Sequence, residues 1–560
     1  MSARRLMLGG AVATTLTMIA GVTAPAVAQA SAAHTSVAHA SAADGQAGPA
    51  VTHYPGTRGM ARLLPRKVRH ATSAPARAFP KGARRLPSGR FSATEAVPRS
   101  AASAGAATAS SSPLVNFNGV SSRDSQFTNY NAEFEPPDQG LCQGHRFVLE
   151  PVNSAYRIYR TNGKSIRGPF NVNDLFNVGG KEFTSDPRCW FDRTTQTWFA
   201  TILFLNDTGT ASSLLIAVRH SPDPLGLWNE YSIDTTDQGR GNGCPCFGDQ
   251  PRIGIDQTNL YVTADEFGIN PPFRFFGSQM WAIDKADLVA GKPLSHFVRF
   301  SGLTIAGQQT LAPQPALTTA KPDAEYFLSQ LDLNGQGDHR IGVWAMTRRG
   351  QVGKGGIPTL TSTVIKSEPY ANPPNPPQKG AKSKLNAGDD RMQQTAFAGG
   401  TVWGELTTAV RPAGDSTVRA GGAWFQVRPR LGAAGIAGAS IVRQGYIASA
   451  GQYAIYPAVQ PDAAGNAAAV FTLSSRHRFP SAAFATLRAG ARNFGPPVVA
   501  AAGTGPYFPK STRWGDYSFA VPSDTSHSAW LATEYIPPKS SQTTDGKQNW
   551  GTRVFEVPLP

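Results

Sequence analysis

Four arginines and a recurring set of carboxylates hold the chemistry this sequence could perform. Asp249 opens a short run carrying Ile253 and Ile255, which turns over 256–259 and returns through 260–263 to Glu266. Trp514, Gly515 and Asp516 lead into a similar run that turns near 523–526 and returns through Trp530 to Glu534. Asp390 and Arg391 precede a third run ending at Glu405, Asp138 precedes a fourth ending at Glu150, and Asp186 opens a fifth two residues before Arg188. In an antiparallel hairpin the start of one strand lies beside the end of the other. Asp249 is therefore expected beside Glu266, Asp516 beside Glu534, Asp390 beside Glu405 and Asp138 beside Glu150. Arg188, Arg252, Arg391 and Arg513 stand within a few residues of these acids.

Carboxylates interleaved with guanidinium groups have three chemical readings. One carboxyl kept protonated by its neighbours and another kept ionised, about 5 to 9 Å away, is glycosidase machinery. Asp249, Glu266, Asp516 and Glu534 are its catalytic candidates, and Asp186, Arg188, Arg252, Asp390, Arg391, Glu405 and Arg513 would bind the ligand. The second reading is a hard cation such as Ca²⁺ held by oxygen ligands. In the third, each Asp caps its own turn and each Arg ties neighbouring elements by a bidentate bond. Repetition suits that structural role, because a reaction needs one site rather than several. Other chemistries leave no trace: there is no Gly-x-Ser-x-Gly elbow, no His-Glu-x-x-His, no phosphate loop and no dinucleotide fingerprint.

The elements that must position these groups repeat. Segments on the same plan open at Asp138, Asp186, Asp249, Pro313, Asp390, Pro457 and Asp516, separated by 48 to 77 residues. Further β-branched and aromatic runs fill the intervals, at 214–218, 279–283, 342–346, 423–427 and 482–486. A repeat of that length holding about four strands marks a propeller blade rather than a helical solenoid. A pair of β-sandwiches is the alternative, and the regular spacing argues against it. The expected fold is all-β, a seven-bladed β-propeller with four-stranded blades over 113–560. After the last hairpin one run remains, 552–557, so the seventh blade lacks a strand that 114–118 could supply. Closure by pairing N- and C-terminal strands would remove an open sheet edge.

Residues 1–30 read as a secretory signal peptide, with Arg4 and Arg5 ahead of a mildly apolar stretch and small residues at 26–30. Arg4-Arg5 also partly matches a twin-arginine signal, with Ala3 in place of the usual hydroxyl residue. Residues 31–112 are rich in Ala, Ser, Pro, Gly and Arg, bury too little to offset their ordering entropy, and are expected to be a disordered basic linker or pro-segment. Eleven Lys or Arg between 29 and 112 face only Asp44 and Glu95. The remaining folded part has 40 basic and 35 acidic residues, so the net charge of +16 lies mostly in the tail. A nearly neutral domain carries no footprint for specific nucleic-acid binding, while the tail could meet anionic wall polymers. No apolar run is long enough for a transmembrane segment.

Four cysteines in an exported chain point to disulfides. Cys142 and Cys189 lie four and three residues past Asp138 and Asp186, at similar places on adjacent blades, and are the favoured pair. Cys244 and Cys246 would then close a small ring. A zinc site would need four free thiolates together. Trp190, Trp198, Trp403 and Trp530 could stack on sugars but sit in strand patterns that suit packing between blades. Phe273-Arg274-Phe275-Phe276 is a better candidate for a ligand lip.

Several of these motifs carry a resemblance. Pro137-Asp138-Gln139-Gly140-Leu141-Cys142, Asp186-Pro187-Arg188-Cys189-Trp190, Gly248-Asp249-Gln250-Pro251 and Trp514-Gly515-Asp516-Tyr517 resemble a family of secreted bacterial propellers that are sialidase-like by fold. The resemblance covers most of 113–540. It implies the fold and little about activity, since the family is largely uncharacterised. The stretch from Ser221 to Trp228 departs from the sialidase Asp-box, with Leu225 where its Gly would stand. The expected protein is thus a secreted, monomeric propeller that binds an extracellular glycan at an acidic, Arg-lined mouth. A glycoside hydrolase is the alternative, and a wall-associated interaction protein is the third reading.

Overall fold

In the computed structural model the described residues are 112–129, 134–179, 182–206, 208–237, 244–270, 273–294, 297–508, 513–524 and 527–560, with short pieces at 52–54, 56–59, 62–63 and 97–100. The proposed signal peptide lies outside them. The long β-branched and aromatic runs form strands that pair into four-stranded antiparallel sheets, so the chain is all-β. Taken along the chain, the sheets open with Cys142–Gly144, Phe183–Asp192, Cys246–Ile255, Gln314–Leu317, Met392–Ala398, Tyr453–Pro461 and Phe519–Pro522, and they are numbered one to seven below in that order. Within each sheet the next strand in sequence lies next in space, as a meander.

The seventh sheet takes its fourth strand from the other end of the domain: Val115–Ser121 pairs antiparallel with Gly551–Pro558. Each opening strand also packs on that of a neighbouring sheet, Cys246–Ile255 on Phe183–Asp192 and Phe519–Pro522 on both Tyr453–Pro461 and Cys142–Gly144. Between sheets four and five the contact becomes a parallel ladder, Ala316 with Thr395 and Leu317 with Ala396. The opening strands are therefore covered on both faces. Cys246–Ile255 and its partner Asn259–Gly268 are buried at every residue, so their charged residues must find partners inside the protein.

The core is distributed between sheets. Trp198, Trp281, Trp344, Trp403, Trp424 and Trp530 are all under 2 % exposed, and Trp403 stacks on Trp424 at 5.9 Å. The tryptophans weighed as sugar platforms are thus packing residues, Trp190 included. Phe273 and Phe275 pack on Phe247 and Phe267, leaving Arg274 the exposed member of the proposed lip.

The tail departs from expectation. Within 31–112, Thr52–Tyr54, Gly56–Gly59 and Arg62–Leu63 add to the outer edges of sheets four, three and two. The reason is local fit at otherwise open edges. The Tyr54 ring lies 4.9 Å from Trp344 and its hydroxyl meets Ser362 Oγ at 2.8 Å. A Cβ on Gly56 would stand 2.8 Å from both Ile357 and Phe300, so only glycine allows this approach.

Both disulfides are present, Cys142–Cys189 and Cys244–Cys246. The first joins the opening strands of sheets one and two, with fully buried cysteines and a sequence separation of 47. Replacing Cys142 and Cys189 by Ser should lower stability by about 2–4 kcal/mol, read as a lower urea midpoint. An unchanged midpoint would mean that the sheet contact alone holds these strands.

Candidate functional site

A recurring distortion falls within or just ahead of the opening strands. Asp138, Asp186, Gln250, Ala312 and Tyr456 have φ of 37°, 61°, 49°, 48° and 54°, a left-handed conformation uncommon for residues other than glycine. In the last four cases the next residue is proline, which has no N–H for the ladder and so suits a bulge. The ladder slips at these points, between Asp249 and Arg252 and between Ile455 and Ala458. Neighbouring sheets hold the bulges: Thr263 Oγ1 donates to Pro313 O at 2.6 Å, the Tyr456 N–H donates to Thr407 Oγ1 at 3.0 Å, and Tyr517 OH donates to Pro187 O at 3.1 Å. The effect is to aim the first side chains of several sheets at one another.

What they bring together is one polar cluster. An oxygen from each of Asp138, Asp186 and Asp516 lies within 4.8 Å of the others. The Asp516 N–H donates to Asp138 Oδ1 at 2.7 Å, and Asn153 Nδ2 donates to Asp138 Oδ2 at 2.8 Å. Arg188 is buried, with its guanidinium 3.4 Å from the Tyr517 ring centre. Arg513 pairs with both oxygens of Asp516 at 2.5 Å, and Gln250 Nε2 donates to Asp516 at 3.2 Å. Gln250 Oε1 accepts from Arg252 at 3.1 Å and from Arg391 at 3.3 Å. Arg391 clasps Asp389 through Nε at 2.7 Å and Nη2 at 2.6 Å, a bidentate geometry that favours arginine. Sheets one, two, three, five and seven all contribute.

The expected hairpin pairs fare unequally. Glu534 reaches the end of the Asp516 segment: a Cβ on Gly515 would stand 2.5 Å from Glu534 Oε1, near enough for Asp138 and Asp516 to act on its carboxyl. Asp249 and Glu266 do not form the expected pair. The register sets Asp249 opposite Asp265 and Glu266 opposite Gly248, and side chains one residue apart face opposite ways. Glu266 instead lies 3.6 Å from Cys244 Sγ. Asp138 and Glu150 also separate, because Glu150 accepts from the Val120 N–H at 2.9 Å and Tyr159 OH at 3.0 Å and so ties sheet one to sheet seven. Asp390 turns to Asp332, and Glu405 sits opposite Gln394.

The environments push these acids apart. Burial, then Asp138 and Asp516, raises the Glu534 carboxyl well above the usual range. Burial raises Glu405, and burial with Asp332 raises Asp390. Burial also pushes Asp389 up, but Arg391 outweighs it and holds that carboxyl below its usual range. Paired acids kept in opposite protonation states are the pattern of acid–base catalysis. A Ca²⁺ ion would look for six to eight oxygens. The Asp138, Asp186 and Asp516 trio is the natural place, yet Arg513, Asn153, Gln250 and a backbone N–H already occupy oxygens of Asp138 and Asp516, so the donor set suits resident cations better than a metal.

Sequence reasoning passed over Asp265, Gln250, Asp389 and Tyr517. Asp265 is fully buried, accepts from Arg252 at 2.7 Å and Ser278 Oγ at 2.6 Å, and lies 3.9 Å from Arg391. The usable signal was the proline after Asp186, Gln250, Ala312 and Tyr456, which marks the bulge and hence the residues aimed inward.

No family model and no curated protein matches the chain. Among solved structures the chain is similar to the α-L-arabinanase of Penicillium chrysogenum complexed with arabinobiose, at 10% identity over 80% of this chain and 99% of that one, with a TM-score of 0.35. It is also similar to an α-L-arabinofuranosidase from Fusarium graminearum in complex with an iminosugar inhibitor, at 10% identity over 80% and 98%, TM-score 0.33. A subtype N11 neuraminidase-like protein of A/flat-faced bat/Peru/033/2010 aligns at 10% identity over 55% and 72%, TM-score 0.24. The class defined by the sheets themselves is an all-β protein built of four-stranded antiparallel meanders. Likenesses at these scores carry no argument about activity, which rests on the site.

Proposed function

We propose that this is an exported glycoside hydrolase on a seven-bladed propeller closed by its N- and C-terminal strands, acting on an extracellular glycan. One observation carries the reading: Glu534, whose carboxyl burial raises well above its usual range, lies near the Asp516 carboxyl, which Arg513 pairs with at 2.5 Å. In the step this allows, Glu534 gives its proton to the glycosidic oxygen as the C–O bond breaks, and Asp516 serves the anomeric carbon from the other side, as nucleophile or as base to water. Arg513 and Arg391, 26% and 14% exposed at their side chains, are the cations of the cluster nearest solvent and would hold ligand oxygens. Disulfides and the signal-like N-terminus support export. Among the described residues no helix is long and apolar enough to cross a membrane.

The second reading, glycan binding without turnover, is favoured by the complete burial of Glu534. Chromogenic glycosides and polysaccharides, assayed with the full chain for released product and for binding, separate the two. Turnover that disappears in Asp516→Asn supports the hydrolase. Binding without turnover supports the second reading, and neither binding nor turnover with any sugar would overturn both.

A further inference from the structure

We infer that the glycan is an anionic one, guided by a cationic track along the mouth of sheets six and seven. The inference rests on the glycan reading and adds its charge class. Residues 371–389 leave sheet four and run against sheet six before sheet five begins. Gln378 Nε2 donates to Tyr507 O at 3.1 Å and the Tyr507 N–H donates to Gln378 Oε1 at 2.7 Å. Ser474 Oγ donates to Pro377 O at 2.9 Å, and the Lys379 N–H donates to Arg478 O at 3.2 Å. Leu385 and Ala387 are buried with Tyr456, Tyr507 and Trp514, directly behind Arg513 and Asp516. The crossing is therefore a fixed part of the surface that leads to the site.

Its outer side is basic. Lys379, Lys382 and Lys384 are exposed, as is Arg476 in the turn that ends Ala467–Ser475. Lys539 follows the end of Ser528–Tyr535, and Arg123 reaches the same place, donating from Nη1 to Ser540 O at 3.2 Å. These strands end at the Glu534 side of their sheets, so the six charges share the face of the site. None of the six is in an ion pair with a carboxylate among the described residues. Three carboxylates nearby are paired with other cations: Asp545 with Lys547 at 3.0 Å, Asp516 with Arg513 and Asp389 with Arg391. A run of fixed positive charge at one approach attracts a polyanion and raises its local concentration. Charges strung in series suit a polymer bearing carboxylate or sulfate groups.

The test compares the full chain with its Lys379→Glu, Lys382→Glu, Lys384→Glu triple variant, whose exposed positions leave folding intact as checked by thermal unfolding. Binding of polygalacturonate, dextran sulfate, neutral dextran and a DNA duplex is measured at about 50 mM and about 500 mM salt, where the screening length differs severalfold. The expected result at low salt is that polygalacturonate or dextran sulfate binds on the order of tenfold more tightly than neutral dextran, that the triple variant loses most of this factor, and that high salt removes it. The stronger of the two arms names carboxylate or sulfate. An unaffected triple variant overturns the inference, as does a DNA duplex bound as tightly as the glycans and lost equally in the variant. Turnover or binding of neutral sugars with no preference for anions overturns this inference and leaves the glycan reading standing. Failure of every sugar overturns both.

Discussion

Asp265→Ala should destabilise the protein by about 3–5 kcal/mol, because it strands a charge with no route to water. Arg252 and Asp265 are both fully buried and meet at 2.7 Å. The carboxylate also accepts from Ser278 Oγ and from the Ala312 N–H at 3.0 Å; its removal leaves Arg252 and the Ala312 N–H short of an acceptor at the junction of sheets three and four, while Ser278 keeps Thr310 O. Replacing both partners by apolar residues of like size, Arg252→Met with Asp265→Leu, should recover much of the loss, since breaking one half of a buried pair costs more than removing both. Urea midpoints of the two single variants and the double variant check this. A loss below about 1 kcal/mol in Asp265→Ala would mean that the pair is solvated rather than buried. Activity should fall in the double variant even where stability returns, because Gln250 would lose the Arg252 donor that helps to orient it toward Asp516.

Glu534→Gln should lower turnover on the order of 10²- to 10⁴-fold, the usual contribution of a general acid, while leaving the fold intact. The sign of the pH effect separates chemistry from architecture. Glu534 has a folded-state pKa raised above its unfolded value, by burial first and then by Asp138 and Asp516. Its contribution to stability is therefore fully present below the unfolded pKa and is lost as pH rises through the folded one. Glutamine stays neutral at every pH, so the variant should resist alkaline unfolding at least as well as the parent. The parent's activity should fall on the alkaline side as Glu534 loses its proton, and the residual activity of the variant should lack that limb. A variant that retains full turnover would remove Glu534 from the mechanism. One that loses turnover and alkaline stability together would make it a structural residue.

The tail and the site show where local reasoning stops. Thr52–Tyr54 and Gly56–Gly59 have no apolar periodicity and read as linker, yet they pair with sheet edges, because the surface that orders them is built by residues 238 to 310 positions away. The Asp249 and Glu266 pairing failed for a different reason. A bulge at Gln250 and Pro251 shifts the ladder, and a shift of one residue turns a side chain to the opposite face, so Asp265 and not Glu266 joins the cluster.

Hairpin composition, turn chemistry and spacing belong to the chain itself. They determined the strands, the four-stranded meander and the Cys142–Cys189 partnership, because each depends on contacts between residues close in sequence or on a repeating offset. Only the tertiary structure decided which strand openings meet. Asp138, Asp186 and Asp516 come from three sheets, and Gln250 joins a fourth to them. Such neighbours are set by how whole sheets pack and by where each bulge aims its first side chain, and no pattern within a single hairpin encodes that.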